Sequence, residues 1–156
     1  MRVVIIIICS ILLLTGVPQW LTDTRWPLLC AMLYPLFHAN LFHLAVNMIA
    51  VWPLYAPQRK NKGLLLLASW LISCVVWPVA PHPVVGISNL LYASIGCLSP
   101  VLRPGYWCSP AVIMFYVMTF AMVFLPFVAG WSHIAALALG IIVSLIRTKT
   151  HGTQKH

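Results

Sequence analysis

The sequence predicts an all-α fold, a polytopic membrane bundle of six transmembrane helices forming one domain over residues 1–156. Three observations lead there. First, 62% of the residues are apolar and only 6% are charged, with a mean hydropathy of +0.99. A soluble domain carries about a quarter charged residues. Second, the apolar residues fall into six runs, at roughly 3–17, 40–55, 63–79, 88–102, 111–128 and 131–146. Third, the basic residues sort by side. With a cytoplasmic N-terminus, Arg2, Arg59, Lys60, Lys62, Arg103, Arg147, Lys149 and Lys155 all fall inside, and only Arg25 falls outside. That eight-to-one bias holds only for an even number of spans.

The first run, Val3–Val17 behind Arg2, has the shape of a signal peptide, but no small-x-small cleavage site follows it. It is expected to be a retained span. The stretch Pro18–Phe37 is then an outer loop. The second run opens on His43 and Asn47, with His38 just before it and Pro53 near its far end. The third follows the basic stretch 57–62, and the fourth opens at Ser88 behind Gly86, with Tyr92 one turn below. The fifth contains Pro126, and the sixth opens at His133. Runs of 15–18 residues reach roughly 22–27 Å, less than a hydrocarbon core of about 30 Å. The bilayer must therefore thin locally, or flanking residues must snorkel. Trp20, Trp26, Trp77, Trp107 and Trp131 stand near span ends, as interfacial anchors do. The five Cys (9, 30, 74, 97 and 108) follow neither a disulfide nor a metal spacing and read as small apolar fillers.

Composition also excludes chemistry. The chain has no Glu, and Asp23 is its only Asp. Paired-carboxylate proteases, glycosidases and carboxylate-rich metal cages are ruled out, as is the H-E-x-x-H zinc motif. No cofactor and no metal are expected. The net charge of +8 lies in membrane-surface anchors rather than in an aromatic-interleaved stripe, so nucleic acid is not an expected partner.

Polar side chains inside such a bundle are costly and need a reason. The predicted topology starts the second, fourth and sixth spans on the outer side, which puts His43, Asn47, Ser88 and His133 at one depth. Each has a bland reading alone, as an interhelical hydrogen bond or a helix cap. Together they form a coherent set. A serine nucleophile needs a base, and a neutral imidazole is the one type available at that depth. His43, the Asn47 amide and the Ser88 backbone N–H suit an oxyanion, the last at a helix's positive end. With no third carboxylate near, the site would be a Ser–His dyad.

These residues resemble the rhomboid family of intramembrane serine proteases. His38–Asn47 is similar to the family's H-x4-H-x3-N signature, Gly86-Ile87-Ser88 with Tyr92 and Gly96 to its G-x-S motif, and Ser132–Gly140 to its A-H-x-x-G-x-x-x-G segment. The resemblance implies a six-helix bundle with Ser88 as nucleophile and His133 as general base, and with Tyr92 packed beneath the imidazole. His43 and Asn47 would assist the oxyanion, and His38 would support the loop above. Ala136 and Gly140 would let the sixth helix approach the fourth closely. Two departures stand out. Asn89 follows the serine where the family has a small residue, and Arg25-Trp26 reverses the family's order.

The implied activity is hydrolysis of peptide bonds in or near transmembrane segments of membrane proteins, in a plasma membrane of bacterial type. Both termini would be cytoplasmic and the site would open outward. The implied partners are transmembrane protein substrates and the bilayer. An inactive relative that binds transmembrane clients, an acyltransferase using the same dyad and a small transporter are the alternatives. The last is disfavoured, because the chain shows no internal repeat.

Overall fold

A computed structural model describes residues 2–22, 27–55, 61–79, 85–98, 117 and 130–152. Among these residues the chain is all helical. The helices are α1 (Arg2–Thr15), α2 (Pro27–Leu33), α3 (Leu41–Leu54), α4 (Lys62–Val76), α5 (Ser88–Leu98) and α6 (Gly130–Gly152). Short 3-10 turns cover Gln19–Thr22, Tyr34–Leu36 and Trp77–Val79. The expected fifth run, 111–128, lies outside the described residues apart from position 117, as do Trp26, Trp107, Cys108 and Arg25.

The ends of the helices follow local chemistry. Asn40 is extended and its side chain accepts from the His43 N–H at 2.8 Å, capping α3. Pro53 falls one residue before that helix stops. Asn61, at φ 57°, turns the chain into α4 in the left-handed region that asparagine tolerates.

The expected outer loop, by contrast, holds real structure. α2 and its two flanking turns bury Leu21, Cys30, Tyr34 and Phe37 in a small cluster of their own. Pro27-Leu28-Leu29-Cys30 is apolar enough to fold back onto the bundle, and the Cys74 thiol on α4 donates to the Ala31 carbonyl at 3.3 Å. Trp77, expected near a span end, directly follows α4 and is half-buried beside Tyr34, with ring centroids 6.5 Å apart.

α5 is the centre of the bundle. Its residues Ser88–Ser94 are all buried, as expected of a helix covered on every side. Ile87, Leu90 and Leu91 pack with Ile5 and Cys9 of α1 and with Leu44, Val51 and Leu54 of α3. Tyr92 and Ala93 pack with Ile72 and Val76 of α4 and with Ala136 of α6. The α5–α6 crossing is closest where two glycines meet. A Cβ on Gly96 would lie 2.9 Å from Gly140 Cα and from Ile141 N, and one on Gly140 would lie 3.0 Å from Gly96 Cα.

The polarity is inverted relative to a soluble protein. Leu64, Leu67, Leu71 and Val75 of α4, and Leu41, Phe42, Ile49 and Trp52 of α3, are all more than half exposed. Ser69, Ser73, Asn89, Ser94 and Ser132 are fully buried. The Ser94 hydroxyl meets Ser69 Oγ at 2.8 Å and Tyr55 Oη at 2.6 Å, so one small polar knot joins α3, α4 and α5. Interhelical hydrogen bonds between small polar residues hold helices together where the surroundings are as apolar as the helix faces.

By length and composition, one described helix, over Gly130–Arg147, is sufficient to cross a membrane. The segments Pro27–Leu36 and Leu41–Ile49, bent by 77°, would make a second if counted as one span. Val3–Thr15, Lys62–Val76 and Ser88–Leu98 are shorter apolar helices.

Candidate active site

Ser88 and His133 come from different helices and meet. Ser88 is the first residue of α5, and His133 lies in the first turn of α6, so the crossing at Gly96 and Gly140 lies about two turns beyond both. His133 Nε2 is 2.9 Å from Ser88 Oγ, a hydrogen bond between two buried side chains. Tyr92, one turn along α5 from Ser88, stacks on the imidazole with centroids 4.6 Å apart and planes 14° apart. The other ring nitrogen, His133 Nδ1, is buried with no hydrogen-bond partner among the described residues. Among the described residues, stacking on Tyr92 is what orients this ring.

The approach to Ser88 requires a glycine. Gly86 has φ 110°, and a Cβ there would lie 2.6 Å from His43 Cε1 and 2.8 Å from His43 Nε2. A side chain would thus be strained by the backbone and blocked by the imidazole. The Gly86 N–H donates to the Tyr34 carbonyl at 3.1 Å, which ties this turn to the α2 region.

His43 and Asn47, one turn apart on α3, therefore converge on Gly86, two residues before Ser88. The same Cβ position on Gly86 is 3.4 Å from Asn47 Nδ2. That amide nitrogen is buried and has no partner among the described residues. A buried donor without an acceptor calls for an explanation, and a ligand oxygen above the turn would supply one. His38 is buried and lies edge-on to His43, with centroids 5.2 Å apart. Ala136 is buried against Tyr92 and Ala93, one turn beyond His133.

Sequence reasoning missed one connected group. Asn89, noted as a departure but assigned no partner, is fully buried and bonded at both ends of its amide. Its Oδ1 accepts from the Ser132 hydroxyl at 3.0 Å, and its Nδ2 donates to the Tyr34 hydroxyl at 3.1 Å. The Tyr34 hydroxyl is bonded in turn to Ser73 on α4. These partners lie 43 and 55 positions from Asn89. Only the polarity of Asn89 in an apolar run could have signalled them.

An inverted helical bundle that brings a buried serine and a buried histidine together at one end of a two-helix crossing defines a class, that of membrane-embedded helical proteins. The family model described as Rhomboid domain matches residues 23–150, and the chain belongs to the rhomboid family. That family is integral to membranes and consists of intramembrane proteases, generally serine proteases, with inactive relatives among them. No curated protein matches the chain at a significant level.

Proposed function

We propose that this rhomboid-family chain is an active intramembrane serine endopeptidase that cuts peptide bonds in or near transmembrane segments of membrane proteins. The observation that carries the proposal is the 2.9 Å contact between Ser88 Oγ and His133 Nε2 over the Tyr92 ring. An inactive client-binding relative has no need of that contact. Ser88 Oγ attacks the scissile carbonyl carbon while its proton passes to His133 Nε2. The C–N bond then breaks, and the imidazolium returns the proton to the leaving amine. Water, deprotonated by the same imidazole, hydrolyses the Ser88 ester and regenerates the hydroxyl. The oxyanion formed at each stage is met by the Asn47 amide, His43 and the Ser88 backbone N–H. A fluorophosphonate probe tests the proposal. It should label the wild-type protein and not Ser88→Ala, and a wild type that neither labels nor cleaves any membrane substrate would overturn it.

Asn47→Ala tests the oxyanion role. Losing one such donor costs about 10²–10³ in turnover in a serine protease. The effect here should fall at or below the lower end, because other donors remain. The Asn47 Nδ2 makes no hydrogen bond among the described residues, so melting in detergent should change little. Unchanged turnover with a lowered melting temperature would make Asn47 a packing residue only.

In the proposed topology, six spans place both termini in the cytoplasm and open the site to the outer side of a bacterial-type plasma membrane. The inverted polarity of the bundle and the eight-to-one distribution of basic residues support it. In a variant freed of native cysteines, a cysteine at Gln19 should react with a membrane-impermeant thiol reagent in intact cells, and one at Lys60 should not. The reverse pattern would invert the site.

A further inference from the structure

The residue after Ser88 and the residue before His133 are bonded to one another, and nothing in the dyad chemistry requires that. Asn89 and Ser132 are both fully buried. At its far end the Tyr34 hydroxyl donates to the Ser73 carbonyl at 3.2 Å and also meets the Ser73 hydroxyl, where either oxygen can donate. The Tyr34 oxygen then accepts from Asn89 Nδ2, which turns Asn89 Oδ1 toward Ser132, and Ser132 must donate. Tyr34 also holds the Gly86 N–H through its carbonyl, so it meets the nucleophile's turn on both flanks.

We propose that the Ser132–Asn89–Tyr34 chain is a positioning brace that sets the height and rotation of α6 against α5 and so keeps Ser88 within reach of His133. The proposal rests on the dyad reading above. The glycine crossing permits close approach but is apolar and resists sliding poorly. Hydrogen bonds are directional. Ser88 and Asn89 project about 100° apart around α5, given 3.6 residues per turn. The two links Ser88–His133 and Asn89–Ser132 therefore diverge, and α6 cannot slide or turn without stretching one of them. Asn89 and Ser132 act through their neighbours and touch no reacting atom.

The test compares kcat and KM on a transmembrane substrate for Asn89→Ala, Ser132→Ala, the double variant and Ser132→Thr. A misplacement of about 1 Å costs roughly 10²-fold, so each alanine variant should lose about 10–10²-fold in kcat with KM nearly unchanged. The double variant should be no worse than the poorer single one, as residues acting as a unit are. Ser132→Thr keeps the hydroxyl and should retain most of the rate. Ser69→Ala, which breaks the other buried serine contact, should leave kcat as in the wild type. Nitrogen-15 NMR of labelled histidine, with the His133 ring assigned by its loss in His133→Ala, should show that ring's signals shifted in Ser132→Ala and unmoved in Ser69→Ala. Wild-type kcat and an unmoved ring signal in Ser132→Ala would overturn the brace while leaving the dyad intact. An inert wild-type protein would overturn the dyad reading instead. The ring signals would then decide the brace alone, and no shift in Ser132→Ala would sink it.

Discussion

Ser88→Ala and His133→Ala should each abolish cleavage of a membrane substrate, by at least about 10⁴-fold, and the double variant should be no worse than either. The two side chains form one unit. Without the serine there is no nucleophile, and without the imidazole the hydroxyl keeps its proton. Their contact is a hydrogen bond through Nε2, the one ring nitrogen engaged among the described residues. Ser88→Ala removes a single oxygen and should remain folded in detergent, whereas His133→Ala empties the space of a buried ring and should also melt lower. Cleavage retained in Ser88→Ala would remove the assignment to this dyad.

The second large effect is structural. Gly96→Ala should destabilise the bundle by about 3 kcal/mol or more, at or above the upper end for overpacking a well-filled core. The new methyl would meet the Leu137 carbonyl, Gly140 Cα and Ile141 N, all main-chain atoms of α6. A flexible side chain could swing aside, but a helix backbone cannot. α5 and α6 must then separate, and because the dyad is split between them, probe labelling of Ser88 should fall even in the fraction that stays folded. Gly63→Ala is the control. Nothing lies within 4 Å of a Cβ there, and alanine is the better helix former by about 0.8–1 kcal/mol. Thermal melting and labelling should thus be unharmed in Gly63→Ala and lost in Gly96→Ala. Equal behaviour of the two would deny the crossing its role.

Much of this was legible in the chain because the relevant spacings are local. His43 and Asn47, Ser88 and Tyr92, and His133 and Gly140 each belong to one helix, so the helical period alone shows what they share. The overlap of Leu41–Leu54 and Lys62–Val76 with the apolar runs has the same origin. What escaped depends on partners far apart in sequence or on a short apolar stretch. α2 is seven residues, Pro27–Leu33, too brief to carry a period, and it folds because Tyr34 and Cys30 find a buried niche. Asn89 was visible only as a misfit, since its meaning lies in Tyr34 and Ser132. The neighbourhood of Trp77 and Tyr34 was likewise invisible in the chain, since it joins residues of different elements.

Among the described residues, His133 Nδ1 meets no anionic third member, and the flat face of Tyr92 stands beside the ring instead. The described site is then a hydroxyl, an amide and imidazoles, with no formal charge when His133 is a neutral base. An isolated ion in hydrocarbon carries a solvation cost on the order of tens of kcal/mol. Here the serine and imidazole carry no such cost at rest. The helices that carry the dyad can enter the bilayer one after another, before they find each other, with no ion in transit. In the proposed mechanism, charge arises only during turnover, as an imidazolium beside an oxyanion. The two are created together, neutralise each other at close range, and vanish when the proton moves on.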